Sequence, residues 1–235
     1  RSAGEIFLTY AGKMLSLADE AKRAVHPDAA PSGPLRIGAI ESSATARLPR
    51  LLARFHARYP HVSLELTTGT GTQLLDATLN QKLDGAIVAI DVKRPRLRRT
   101  SMYREDLVLI AAESLGPISS AADLQGKSIF MWPEGCPYRA ALERWLQNDG
   151  QTQPIVSIAN YGTIVGCVSA GAGVALVPKG VYEQYRKGSG WVGYEFPELT
   201  SIDNLFYWHE SAEHHPAREA FVEMLRAEFS GVGDA

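Results

Sequence analysis

Four short polar clusters in this sequence have the makings of a binding site: Ser42, Ser43 and Thr45; Thr68, Thr70 and Thr72; Cys136, Tyr138 and Arg139; and Asn160, Tyr161 and Thr163. Hydroxyls and amides can hydrogen-bond a ligand, and the guanidinium of Arg139 can hold a carboxylate or phosphate through two parallel bonds. Each cluster falls where an apolar run gives way to an amphipathic one, at the end of a strand and the start of a helix. The free amides of a helix start favour negative charge. The chemistry to expect is therefore the binding of a small anion or organic acid. Every member also fits a structural role on its own. Ser43, Thr45, Thr72 and Thr163 can cap helices, Arg139 can pair with Glu143 four residues on, and Cys136 can be a small buried filler. The set, rather than any one residue, points to a ligand.

Catalysis finds less support. His26, His56, His61, His209, His214 and His215 never fall in an H-E-x-x-H pattern, and His214-His215 before Pro216 reads as the loop that starts a helix. There is no G-x-S-x-G turn. Gly171-Ala172-Gly173 looks like part of a phosphate-cradling loop, but it leads into a strand rather than a helix. Cys136 and Cys167 show no C-x-x-C spacing. We expect no enzymatic activity, no metal site and no cofactor.

The formal net charge of −2 is far from the basic excess of a DNA-reading domain. The basic stretch Lys93–Arg99 reads as a solvated loop. No apolar run is long enough to span a membrane, and the first five residues do not resemble a signal peptide. With free thiols this points to the cytoplasm. The lack of an initiator Met reads as a fragment or a processed product.

The elements that must position the clusters follow from periodicity. Phe7, Tyr10, Met14, Leu17, Ala21 and Ala24 recur at steps of three and four, the seam of a coiled coil, and Ser2 with Glu5 fits a capping box. A lone helix of this length is marginal in water and wants a partner. Three prolines and a glycine between His26 and Pro34 then make a linker. Strands are expected at 35–40, 62–67, 86–90, 107–112, 129–132, 155–159, 174–177 and 205–209. Helices are expected from Leu48 to Tyr59, after Thr72, at 138–148, at 161–170 and from Pro216 onward. Residues 42–45 read as a polar turn. Alternation of strand and helix implies right-handed crossovers and a mainly parallel sheet, here as two α/β units in tandem.

Several segments together resemble one family. Ser-Ala-Gly-Glu-Ile-Phe-Leu-Thr-Tyr-Ala (2–11) is similar to the linker helix of LysR-type transcriptional regulators, and Leu-Arg-Ile-Gly (35–38) to their first sensor strand. Leu-Pro-Arg-Leu-Leu-Ala-Arg-Phe-His-Ala-Arg-Tyr-Pro (48–60) resembles the family's L-P-x-L-L-x-x-F-x-x-x-Y-P helix. Leu-Asp-Gly-Ala-Ile-Val (83–88), Gly-Cys-Pro-Tyr-Arg (135–139) and Gly-Ala-Gly-Val-Ala-Leu-Val-Pro (171–178) resemble further family segments.

The resemblance implies an α/β, periplasmic-binding-protein-like fold with two Rossmann-like subdomains, an interdomain cleft and a preceding linker helix. It implies a linker and dimerisation helix at 1–26, a hinge linker at 27–34, subdomain I at 35–110 plus 207–235, and subdomain II at 111–206. A small-molecule effector would lie in the cleft. Ser42, Ser43 and Thr45 would line one wall, with Thr70 and Thr72 near its edge. Cys136, Tyr138, Arg139, Tyr161 and Thr163 would line the other. Effector binding would favour one subdomain arrangement and so alter DNA binding by the full-length protein. The implied partners are a second copy of the chain, a homotetramer at full length, RNA polymerase, and DNA through an N-terminal helix-turn-helix that these residues do not contain. The alternative on the same fold is the solute-binding protein of a transporter.

Overall fold

The computed structural model describes residues 30–188, 190–211 and 215–229, together with residues 2–4, 7, 10–12, 14 and 18. In chain order the elements are β1 (Gly33–Ala39), a π-helical turn (Ser43–Arg47) running into α1 (Leu48–Arg58), β2 (Val62–Thr68), α2 (Gly71–Leu79) and β3 (Gly85–Val88). Then come β4 (Leu97–Glu105), β5 (Leu107–Ala112), β6 (Ile129–Met131), α3 (Pro137–Asn148), β7 (Ile155–Ser157) and α4 (Tyr161–Ser169). The chain continues through β8 (Val174–Pro178), α5 (Lys179–Tyr185), β9 (Trp191–Tyr194), β10 (Ile202–His209) and α6 (Pro216–Phe229).

Two units arise. The first gathers residues 1–40, 49–103 and 204–235; the second gathers 41–48 and 104–203. In the first, the sheet runs β2-β1-β3-β10-β4. β1 lies parallel to β2, in register from Gly33 opposite Val62 to Ala39 opposite Thr68, and parallel to β3 on its other side. β10 returns antiparallel to β3. The Leu-Asp-Gly-Ala-Ile-Val segment owes its Asp to this pairing. Asp84 accepts hydrogen bonds from the Arg36 amide (2.7 Å) and guanidinium (2.8 Å), clamping the entry of β3 to β1. Its Gly is required by close approach, since a Cβ on Gly85 would lie 2.1 Å from the Phe206 ring. The apolar stripe of α1 puts Leu51 and Phe55 in the core, where Phe55 meets Phe221 of α6 edge-on at 5.4 Å. Truncating such a side chain costs about 3–5 kcal/mol. His215 immediately precedes α6; its Nδ1 accepts the Arg218 amide and its own amide donates to Glu219. His215 is thus the helix-start residue its place before Pro216 suggests; His214 lies outside the described residues.

In the second unit the sheet runs β7-β6-β8-β5-β9. β7, β6 and β8 are parallel, while β5 is antiparallel to both β8 and β9. Val108, Ile110, Ile164, Val168, Ala175 and Val177 form its core. The glycines of Gly171-Ala172-Gly173 serve this packing rather than phosphate. Gly171 adopts φ 78°, and a Cβ on Gly173 would sit 2.1 Å from the carbonyl oxygen of Ser128.

The structure corrects several expectations. Residues 42–45 are helical, the start of a turn with a π-helical register, not an open polar turn. The second half of Lys93–Arg99 lies in β4, and two of its arginines are paired, Arg94 with Asp76 and Arg99 with Asp91. β4, β9 and α5 were not foreseen, because none carries a long apolar period. The segment 41–48, expected within subdomain I, groups with residues 104–203. Of the expected N-terminal helix, Phe7, Tyr10 and Met14 are helical and strongly exposed, at 68%, 60% and 60%. Glu5, Leu17, Ala21, Ala24 and His26–Ala29 lie outside the described residues. No helix among the described residues is long and apolar enough to cross a membrane.

Candidate functional site

In an open α/β sheet, ligands bind beyond the carboxyl ends of the parallel strands, against helix starts. In the second unit β6 and β7 run parallel, so the segments that follow them emerge at one end of the sheet. After β6 comes Trp132 and then Cys136, the residue before α3; after β7 comes Asn160, the N-cap of α4. Arg139 stitches the two together, donating to Ser157 Oγ at 2.8 Å and to the Trp132 carbonyl at 3.3 Å.

The segment 41–48 docks at the same end. Glu41 Oε1 accepts from Asn160 Nδ2 at 3.3 Å and from the Tyr161 amide at 3.4 Å, so a carboxylate of the chain itself faces the first turn of α4. Farther along, Arg47 forks onto Glu105, with Nε at 2.9 Å from Oε2. The Gly180 amide also donates to Glu105, at 2.9 Å. Glu105 is 2% exposed. Removing one partner of such a buried pair costs about 3–5 kcal/mol, because the other charge is left uncompensated. Gly180 is required here, since a Cβ would lie 2.7 Å from Arg47 Nε. These bonds hold Ser43–Arg47 in a π-helical register, a feature common at functional sites.

The expected residues sort as follows. Ser42, Ser43, Thr45, Cys136, Tyr138, Arg139, Tyr161 and Thr163 all belong to the second unit. Thr70 and Thr72 belong to the first, where Thr70 forms a capping box with Gln73 at the start of α2 and Thr72 is exposed. Thr163 is exposed, its amide and hydroxyl both donating to Asn160 Oδ1 at 2.8 and 3.0 Å. Thr45 is half-buried, and Ser42 and Ser43 are buried. Tyr138 and Tyr161 are each 2% exposed. Arg139 is occupied: besides Ser157 and Trp132 it pairs with Glu143 at 2.7 Å. A shallow depression of about 360 Å³ follows β6, lined by Glu134, Cys136, Arg139 and Glu143 among others. Burial pushes the Cys136 thiol up, against the opposing pull of the Arg139 and Tyr138 amides, so it is not an activated thiolate. Burial likewise lifts the Tyr161 phenol well above its ordinary value, reinforced by Cys136, Tyr138, Glu41 and Glu105.

Sequence reasoning missed two residues. Glu41 was passed over beside the serines, although an acid directly after a strand at a presumed anion site was a visible anomaly. Trp132 was read as the last residue of a strand. Both adjoin Tyr161, Trp132 through a ring contact of 5.4 Å. Glu41 Oε2 and Trp132 Nε1 are buried and have no hydrogen-bond partner among the described residues.

Comparison with known proteins fixes the family. The LysR substrate binding domain matches residues 28–230. The chain belongs to this family. Among curated LysR relatives, the Bacillus subtilis regulator YusT, an uncharacterized HTH-type transcriptional regulator, is 38% identical over 203 residues, covering 85% of this chain and 67% of YusT. The HTH-type transcriptional regulator GltR of Bacillus subtilis is 34% identical over 230 residues, covering 96% and 77%. Full-length CbnR, a LysR family regulator solved with its target DNA, superposes with a TM-score of 0.71 at 20% identity, over 97% of this chain and 81% of that one. These relatives are HTH-type transcriptional regulators. The fold is the periplasmic-binding-protein-like α/β architecture of LysR effector-binding domains, and the role it supports is effector sensing in regulation.

Proposed function

We propose that this chain binds a small organic acid at the carboxyl end of the β7-β6-β8 sheet and so sets the activity of a LysR-type transcriptional regulator. The observation that carries the reading is the convergence, within one unit, of the Glu41–Arg47 segment, the Trp132–Arg139 segment and the first turn of α4. Ser42, Ser43, Thr45, Tyr161 and Thr163 are the residues assigned to the ligand. Cys136 and Tyr138 back them, and Arg139 acts as a brace rather than as a direct clamp. Binding changes regulation only if the ligand prefers one of two states of the protein.

Thermal unfolding of the chain against short carboxylic acids, hydroxy acids and amino acids tests this. A ligand at about 100 times its dissociation constant adds about 2.7 kcal/mol. For a chain of this size that raises the midpoint by about 5–10 °C. The shift should vanish in Thr45→Ala. A shift untouched by Thr45→Ala would contradict the site, and no shift from any compound would contradict the sensing role.

The same reading extends to self-association and, in the regulator as a whole, to DNA and RNA polymerase. Support for self-association is the exposed stripe of Phe7, Tyr10 and Met14 on helical backbone. Light scattering should give the mass of a dimer or larger species, falling to a monomer in Tyr10→Glu; a monomeric parent chain would contradict it.

A further inference from the structure

Glu41 and Trp132 bring a requirement to this site that a simple anion does not meet. The start of α4 already faces a negative group, because Glu41 Oε1 accepts from the Tyr161 amide and from Asn160. A second anion placed there would be repelled rather than welcomed. The other oxygen of the same carboxylate, Oε2, is buried and accepts nothing from the described residues. Trp132 packs against Tyr161, and its indole Nε1 is buried and donates to nothing among the described residues. Buried polar atoms are nearly always satisfied, and leaving one bare is costly. The two orphans are of opposite kind: a carboxylate oxygen needs a donor, preferably a cationic one, and an indole N–H needs an acceptor. The Trp132 and Tyr161 rings lie beside one another, tilted at 53°, and aromatic faces attract an ammonium.

We infer that the effector carries an amino group beside its acid group, that the ammonium donates to Glu41 Oε2, and that an acceptor atom of the same molecule takes the Trp132 indole N–H. The ligand class is thus the amino acids and their close amides, not inorganic anions or plain carboxylates. This inference rests on the small-acid sensing reading above and specifies its ligand. Glu41 is the specificity-determining residue: the deaminated acid leaves Glu41 Oε2 bare and brings no ammonium to offset the repulsion between Glu41 and its carboxylate.

Isothermal titration of the 235-residue chain is the test, run with each of the twenty L-amino acids and, for each, the matching α-hydroxy acid and deaminated acid. At least one amino acid should bind, with its deaminated acid weaker by about tenfold or more, as the loss of a charged hydrogen bond implies. Glu41→Gln keeps the Oε1 acceptor for α4 but turns the orphan oxygen into a donor, so it should erase that preference. Trp132→Phe keeps the ring and should weaken the amino acid without restoring the deaminated one. Thermal unfolding of each free variant shows whether it is folded. If deaminated acids bind as tightly as their amino counterparts, or if Glu41→Gln leaves the preference intact, the inference is overturned and the sensing reading stands. If nothing in any of the three series binds, both fall together.

Discussion

Glu41 is a carboxylate held half inside the protein, and its environment pulls on it in two directions. Burial raises its pKa above the usual carboxylate range, and the hydrogen bond from the Tyr161 amide pulls it back less strongly. The native state therefore holds the proton more tightly than the unfolded chain does. The stabilisation linked to that proton is fully present below the unfolded value and is lost as pH rises through the folded one. Glu41→Gln stays neutral throughout, so it should melt higher than the parent at pH 7, with the difference shrinking as pH falls through the raised folded pKa and gone once pH is below the unfolded value of about 4. A variant that melts lower at pH 7 would mean that the start of α4 stabilises the charge by more than burial penalises it. Cys136 illustrates the opposite lesson. It stands before a helix, where a thiol can be activated, yet burial outweighs the amides and leaves it a packing residue.

At the scale of elements, legibility followed period. α1, α3, α4 and α6 and the strands β1, β2, β5 and β8 were readable because each buries a regular apolar face, as Leu51 and Phe55 do in α1 or Val174–Val177 in β8. β4 was not, because Arg98, Arg99, Thr100 and Ser101 hide the pattern on a strand at the margin of its sheet. The register of Ser43–Arg47 was not readable either. It depends on Arg47 reaching Glu105, 58 residues away, and on a glycine at 180 that leaves room for the guanidinium. No local signal announces such a long-range clamp. The same clamp accounts for the grouping of Glu41–Leu48 with the second unit and brings Ser42, Ser43 and Thr45 into the same unit as Tyr161 and Thr163. The segments that revealed the family prove to be packing devices: Asp84 clamps β3 to β1, and Gly173 seats β8 beside Ser128. They announce the fold, while the ligand contacts proposed above fall on less regular residues such as Glu41 and Trp132.

For the whole molecule, the claim that matters is that one end of one sheet senses a small molecule. Hydrogen–deuterium exchange locates that event without assuming which side chains take part. The chain would be followed with and without the amino acid that binds it most tightly. Exchange should slow at the amides of residues 41–47, 132–139 and 160–164 and stay unchanged through β2 and α2. Slowing confined to β2 and α2, with none at the start of α4, would contradict the account.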